Sequence, residues 1–106
     1  MSKYSIYKYP VEPDFLIQVY DMPKGAVILS FGLDGNNQLC FWAHIDKDAP
    51  LEARKIACVG TGWDLTALYG SDTTQFIGTT THGPYVWHLF DMGAVEGRIQ
   101  EAQART

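Results

Sequence analysis

Little in this chain of 106 residues marks it for a known chemistry, and each scarcity removes a class of function. Positive charge is sparse: eight Lys and Arg against twelve Asp and Glu give a formal net charge of -4. Only Arg54 and Lys55 adjoin, so the clustered cations that a long nucleic-acid duplex demands are missing. The two cysteines, Cys40 and Cys58, sit in apolar runs rather than at metal-ligand spacing, which predicts buried free thiols. No apolar run reaches membrane-spanning length, and residues 1–7 lack the apolar core of a signal peptide, so the expected location is the cytoplasm. His44, His82 and His88 belong to no C-x-x-C or H-x-x-x-H pattern, and no Ser-His-Asp or Cys-His order is legible. No catalytic residue, metal ligand or cofactor is therefore assigned.

Aromatic residues and turn signals are what the chain has. Five Phe, three Trp and six Tyr can fill much of the core of one domain, since each ring buries about 150–250 Å². Alternation marks strands. Tyr4, Ile6 and Lys8 oppose Ser5, Tyr7 and Tyr9 over residues 3–9, and residues 15–20 alternate similarly before a turn at 21–25. Over residues 26–33, Val27, Leu29, Phe31 and Leu33 form an expected apolar face, with Ser30 and Gly32 opposite. Asp34-Gly35-Asn36-Asn37 then reads as a hairpin turn. The returning strand, 38–45, sets Leu39, Phe41, Ala43 and Ile45 against Cys40, Trp42 and His44, two apolar faces that suit a central strand or an oligomer contact. Residues 46–53 read as a loop with a helical turn at Leu51-Glu52-Ala53-Arg54, followed by a short strand over 55–60. After about fourteen aperiodic residues, 75–90 form a closing hairpin around His82-Gly83-Pro84. The expected fold is an antiparallel β-sandwich or partly closed barrel of six or seven strands. Its β domain spans 1–91, and 92–106 form a tail or a short helix.

Two places carry a possible ligand site. Gly60-Thr61-Gly62 leaves a strand, without the further glycines or lysine of a P-loop or dinucleotide fingerprint. It reads as a tight turn or as a nest of amides, with the Thr61 hydroxyl, facing an anion. Thr79, Thr80, Thr81 and His82 are ordinary strand residues or a donor-rich rim beside Trp63, Tyr85 or Trp87, where a flat base could stack.

Six motifs in order widen the reading: Ile6-Tyr7-Lys8-Tyr9-Pro10, Met22-Pro23-Lys24-Gly25-Ala26-Val27-Ile28-Leu29, Phe41-Trp42-Ala43-His44-Ile45-Asp46, Gly60-Thr61-Gly62, Phe76-Ile77-Gly78-Thr79 and Val86-Trp87-His88-Leu89-Phe90. Together, over residues 6–91, the chain resembles a small uncharacterised family of phage and prophage proteins. Relatives of that family carry His or a small residue where this chain has Trp63. The resemblance implies a phage setting, hence an infected bacterial cytoplasm, and supplies no catalytic residue. By analogy with small phage proteins that sequester host signals, the expectation is a non-enzymatic homo-oligomer that captures a small anionic, nucleotide-like ligand, cyclic nucleotides included. In that expectation Trp63, Trp42 or Tyr85 stacks the base, Arg54 and the Gly60, Thr61 and Gly62 amides take phosphate, and Thr81 and His82 close the rim. The alternative is a structural or adaptor oligomer whose aromatic surfaces bind a phage or host protein, with an enzyme third.

Overall fold

Leu39, Phe41, Ala43 and Ile45 are fully or almost fully buried in the computed structural model, which describes residues 3–13, 16–68 and 74–95. They lie on β4 (Leu39–Asp46), the middle strand of a three-stranded sheet in which β1 (Tyr4–Pro10) and β3 (Val27–Leu33) flank it. The second sheet has the order β2 (Ile17–Pro23), β5 (Leu51–Gly60), β7 (Tyr85–Ala94), β6 (Gln75–His82). All pairings among the described residues are antiparallel, and their seven strands form the β-sandwich of the two expected alternatives. At one side the layers approach closely, and the Thr80 hydroxyl of β6 donates to the Phe31 carbonyl of β3 at 3.0 Å. Among the described residues no helix is long and apolar enough to cross a membrane.

The core forms where the sheets' inner faces meet. Phe41 stacks on Tyr9 at 5.1 Å between ring centroids and meets Tyr20 edge-on at 5.2 Å. Tyr20 also donates to the Pro10 carbonyl at 2.6 Å, joining β2 to the end of β1. Both cysteines are buried free thiols as expected, and burial pushes the Cys58 thiol up to about 12. A smaller apolar cluster of Ala57, Val59, Leu68 and Met92 includes the 3-10 turn Thr66–Leu68.

The turn at Asp34 forms as its local signals predict. At the β3–β4 hairpin the Asp34 carboxylate accepts the N–H groups of Asn36 and Gln38, and Asn37 takes φ 63°. Lys8 adds an ion pair at 2.9 Å, and these contacts hold the Asp34 carboxyl down to about 2.

Four expectations need correction. The alternation over 26–33 breaks because register slips at Leu29: Ile28 faces Ala43 but Ser30 faces Trp42. This bulge buries Ile28 and turns Phe31 and Leu33 to the core, leaving Val27 and Leu29 exposed. Residues 21–23 belong to β2 rather than to the turn, which shrinks to Lys24 and Gly25, the latter at φ 83°. Pro23 is tolerated there because β2 is an edge strand. Residues 51–54 are strand, not a helical turn, since Pro23 and Met22 pair with Leu51 and Glu52. Finally, β7 runs three residues past Asp91, absorbing Met92 as an extra residue and continuing through Gly93 at φ 88°. The remainder of the expected tail, 96–106, lies outside the described residues, as does Phe15 of the second expected strand.

Candidate functional site

At the end of β5 the chain needs a residue without a side chain. Gly60 pairs with Trp87, and Thr61 then donates its N–H to the Val86 carbonyl at 3.1 Å. Gly62 takes φ 92°, and the Trp63 N–H returns to the Gly60 carbonyl at 3.1 Å. The turn folds the indole of Trp63 back over Gly60, where an added Cβ would sit 2.8 Å from its Nε1. From there Trp63 meets Trp87 edge-on at 5.5 Å, and Tyr85 lies 6.0 Å from Trp87. These three rings, with Thr61, Pro84 and Val86, line an open cleft of about 300 Å³. Trp87 is a buried wall, whereas Trp63 is 43% and Tyr85 62% exposed.

The same turn has a second side. A cleft of about 220 Å³ there is bounded by Val59, Leu65, Phe90 and Trp63, with Thr61 and His88 as its polar side chains. His88 is held at both ring nitrogens: Thr61 Oγ1 lies 2.7 Å from Nε2 and Thr79 Oγ1 2.8 Å from Nδ1. Among the described residues no Lys or Arg lines either cleft.

Of the expected site residues, the structure brings together Gly60, Thr61, Gly62, Trp63 and Tyr85. Thr81 and His82 sit beside them on β6, opposite Val86 and Tyr85, at the tip of the closing hairpin and outside the lining of both clefts. Two residues do not join. Trp42 lies on β4 of the other sheet, its indole 3.6 Å from where a side chain on Gly32 would begin. Arg54 is six residues from Gly60 along β5, about 20 Å at roughly 3.3 Å per residue. It is also committed, gripping Asp91 through Nε–Oδ1 at 3.0 Å and Nη2–Oδ2 at 2.7 Å. Of the amides in the Gly-Thr-Gly turn, that of Thr61 already serves the Val86 carbonyl, and the Trp63 amide closes the turn onto Gly60.

Trp87, named from sequence as a possible neighbour of the Thr79–His82 rim, and His88, given no role there, are the unassigned members of the site. Alternation along 85–90 separates Tyr85, Trp87 and Leu89 from Val86, His88 and Phe90, and that signal was present in the chain. What it lacked was the register placing Val59 and Thr79 on either side of His88.

Fold and clefts together define a small antiparallel β-sandwich with an aromatic pocket at the end of its larger sheet. The chain belongs to the family described as Domain of unknown function (DUF7352), whose profile matches residues 2–99 and so includes both sheets. No curated protein matches the chain, and no solved structure does.

Proposed function

We propose that the protein is a non-enzymatic binding protein of a phage or prophage that captures a small ring-bearing ligand of nucleobase type in the Trp63–Tyr85–Trp87 cleft. One observation carries the reading: three aromatic side chains from two separate segments converge on one open cleft, and two of them keep exposed faces. Aromatic faces accept any base, and each such stack contributes about 1–3 kcal/mol. Pre-organisation favours capture too, since packing against Gly60 and Trp87 holds the Trp63 indole in place before a ligand arrives. With Arg54 occupied by Asp91, a phosphate has no arginine partner among the described residues of the cleft, so the ring rather than the charge dominates recognition. The phage setting rests on the ordered motifs alone.

Calorimetric titration with nucleosides, nucleotides and cyclic di- and trinucleotides tests this. Trp63→Ala is expected to weaken binding about fivefold to 150-fold, the equivalent of one lost stack. No heat with any compound at millimolar concentration sinks the proposal.

A second reading, an oligomer or adaptor, is favoured by the outer face of the smaller sheet. Ile6, Val27 and Leu29 are all at least half exposed there, on strands flanking Trp42. Sedimentation velocity separates the two: a monomer unaffected by Leu29→Lys argues against a self-assembling face. A stable oligomer that this substitution dissociates argues for one.

A further inference from the structure

Thr61, His88 and Thr79 form a line across the outward face of the larger sheet, and the ring-capture reading makes no use of it. One imidazole on β7 ties the turn after β5 to β6 through hydroxyls at 2.7 and 2.8 Å. A neutral imidazole has one N–H and one lone pair, so it accepts the proton of one of these hydroxyls. A protonated ring donates from both nitrogens. Both hydroxyl oxygens then serve as acceptors, and the Thr61 O–H is free to turn into the cleft that Thr61 and His88 line. The cleft gains a cation and, from the neutral tautomer in which Nε2 accepts from Thr61, a donor in the same step.

We propose that His88, when protonated, and the Thr61 hydroxyl bind a small oxyanion, a sulfate, phosphate or carboxylate group, in the 220 Å³ cleft, with Thr79 fixing the ring from behind. Among the described residues, that charge has no competitor lining the cleft. From β5 the neighbour is apolar Val59, and Lys55 lies four residues further along the strand. From β6 it is Thr79, with His82 three residues away at the hairpin tip. Along β7 the next outward residues are Val86 and Phe90, while Asp91 is held by Arg54. From the turn the nearest charged residue in sequence is Asp64, whose carboxylate accepts the Thr66 N–H at 3.0 Å and hydroxyl at 2.6 Å. Val59, Leu65 and Phe90 supply an apolar wall in which an ion pair is less screened than in open water.

Only the protonated ring carries the charge that the anion needs, so the site is acid-activated. Sulfate is the probe, because it remains a dianion over the range tested and any pH effect belongs to the protein. NMR of the His88 ring during sulfate titration is expected to show a saturable shift with Kd on the order of millimolar near pH 5.5. Binding should be at least about tenfold weaker near pH 8. Thr61→Val, which keeps the side-chain shape and removes the donor, should weaken the acid-pH binding about threefold to tenfold. His88→Gln, followed through the backbone amide resonances of Thr61 and Trp63 beside the same cleft, should abolish it. A non-saturable shift, equal affinity at both pH values, or wild-type binding by His88→Gln overturns the assignment. Sulfate has no ring and a nucleoside no charge, so failure here and failure of ring capture are read separately.

Discussion

Asp91→Ala is expected to lower the unfolding free energy by about 3–5 kcal/mol, measured by urea denaturation. Asp91 and Arg54 are both largely buried and meet in two parallel hydrogen bonds of 3.0 and 2.7 Å. Removing the carboxylate leaves a guanidinium in a dry place without its partner, and that desolvation is the main cost. A second loss adds to it. Asp91 Oδ1 also accepts the Gly93 N–H at 2.9 Å, and so pins the bulge at Met92 that keeps the end of β7 in register with β5. Arg54→Ala should cost a similar amount, and the double substitution less than the sum, because the two residues act as one unit. Against total stabilities of about 5–15 kcal/mol for natural domains, either single change should be visible as a large fall in the midpoint. A loss below about 1 kcal/mol for both variants would mean that the pair is solvated and that Arg54 is available for other roles.

Phe41→Ala should also cost about 3–5 kcal/mol, by a different route. Phe41 is completely buried at the centre of β4, with Tyr9 stacked on one side and Tyr20 edge-on at another. Truncation opens a cavity between two rings tied to backbone positions at the end of β1 and along β2, so neither can collapse far into the gap. Trp42→Ala, one residue along and on the opposite face, should cost less than Phe41→Ala, because Trp42 is only half-buried. Thermal unfolding of the two variants side by side checks the assignment of inner and outer faces. Equal losses would contradict it.

How much of this was legible in the chain depends on the distance over which each signal acts. Leu39 to Ile45 suggested a central strand or an oligomer contact because both of its faces are apolar, a pattern read without knowledge of the neighbours, and Asp34-Gly35 revealed its turn because the bonds close within four residues. The bulge at Leu29 was not legible: it exists to reconcile β3 with β4, and nothing in Val27-Ile28-Leu29-Ser30 announces it. Residues 51–54 suggested a helical turn until pairing with Met22 and Pro23, some thirty residues upstream, drew them into a strand.

The site divides in the same way. Gly60, Thr61, Gly62 and Trp63 were identifiable because the turn and the ring it positions are consecutive. Arg54 was misplaced because its partner Asp91 lies 37 positions away, and a solitary arginine near a glycine turn looks like a phosphate ligand when that partner is unseen. Trp42 and Trp63 are equally aromatic in sequence, and only the topology puts Trp42 on the smaller sheet and Trp63 in the turn that leaves the larger one.

That separation supplies the most direct test. The chain has three tryptophans, so its NMR spectrum should hold three indole N–H resonances, from Trp42, Trp63 and Trp87. On addition of a nucleoside, ring capture predicts that the Trp63 and Trp87 resonances shift together and saturably while Trp42 stays in place. Shifts confined to Trp42, or none in any of the three at millimolar nucleoside, would contradict the assignment of the Trp63–Tyr85–Trp87 cleft as the binding site.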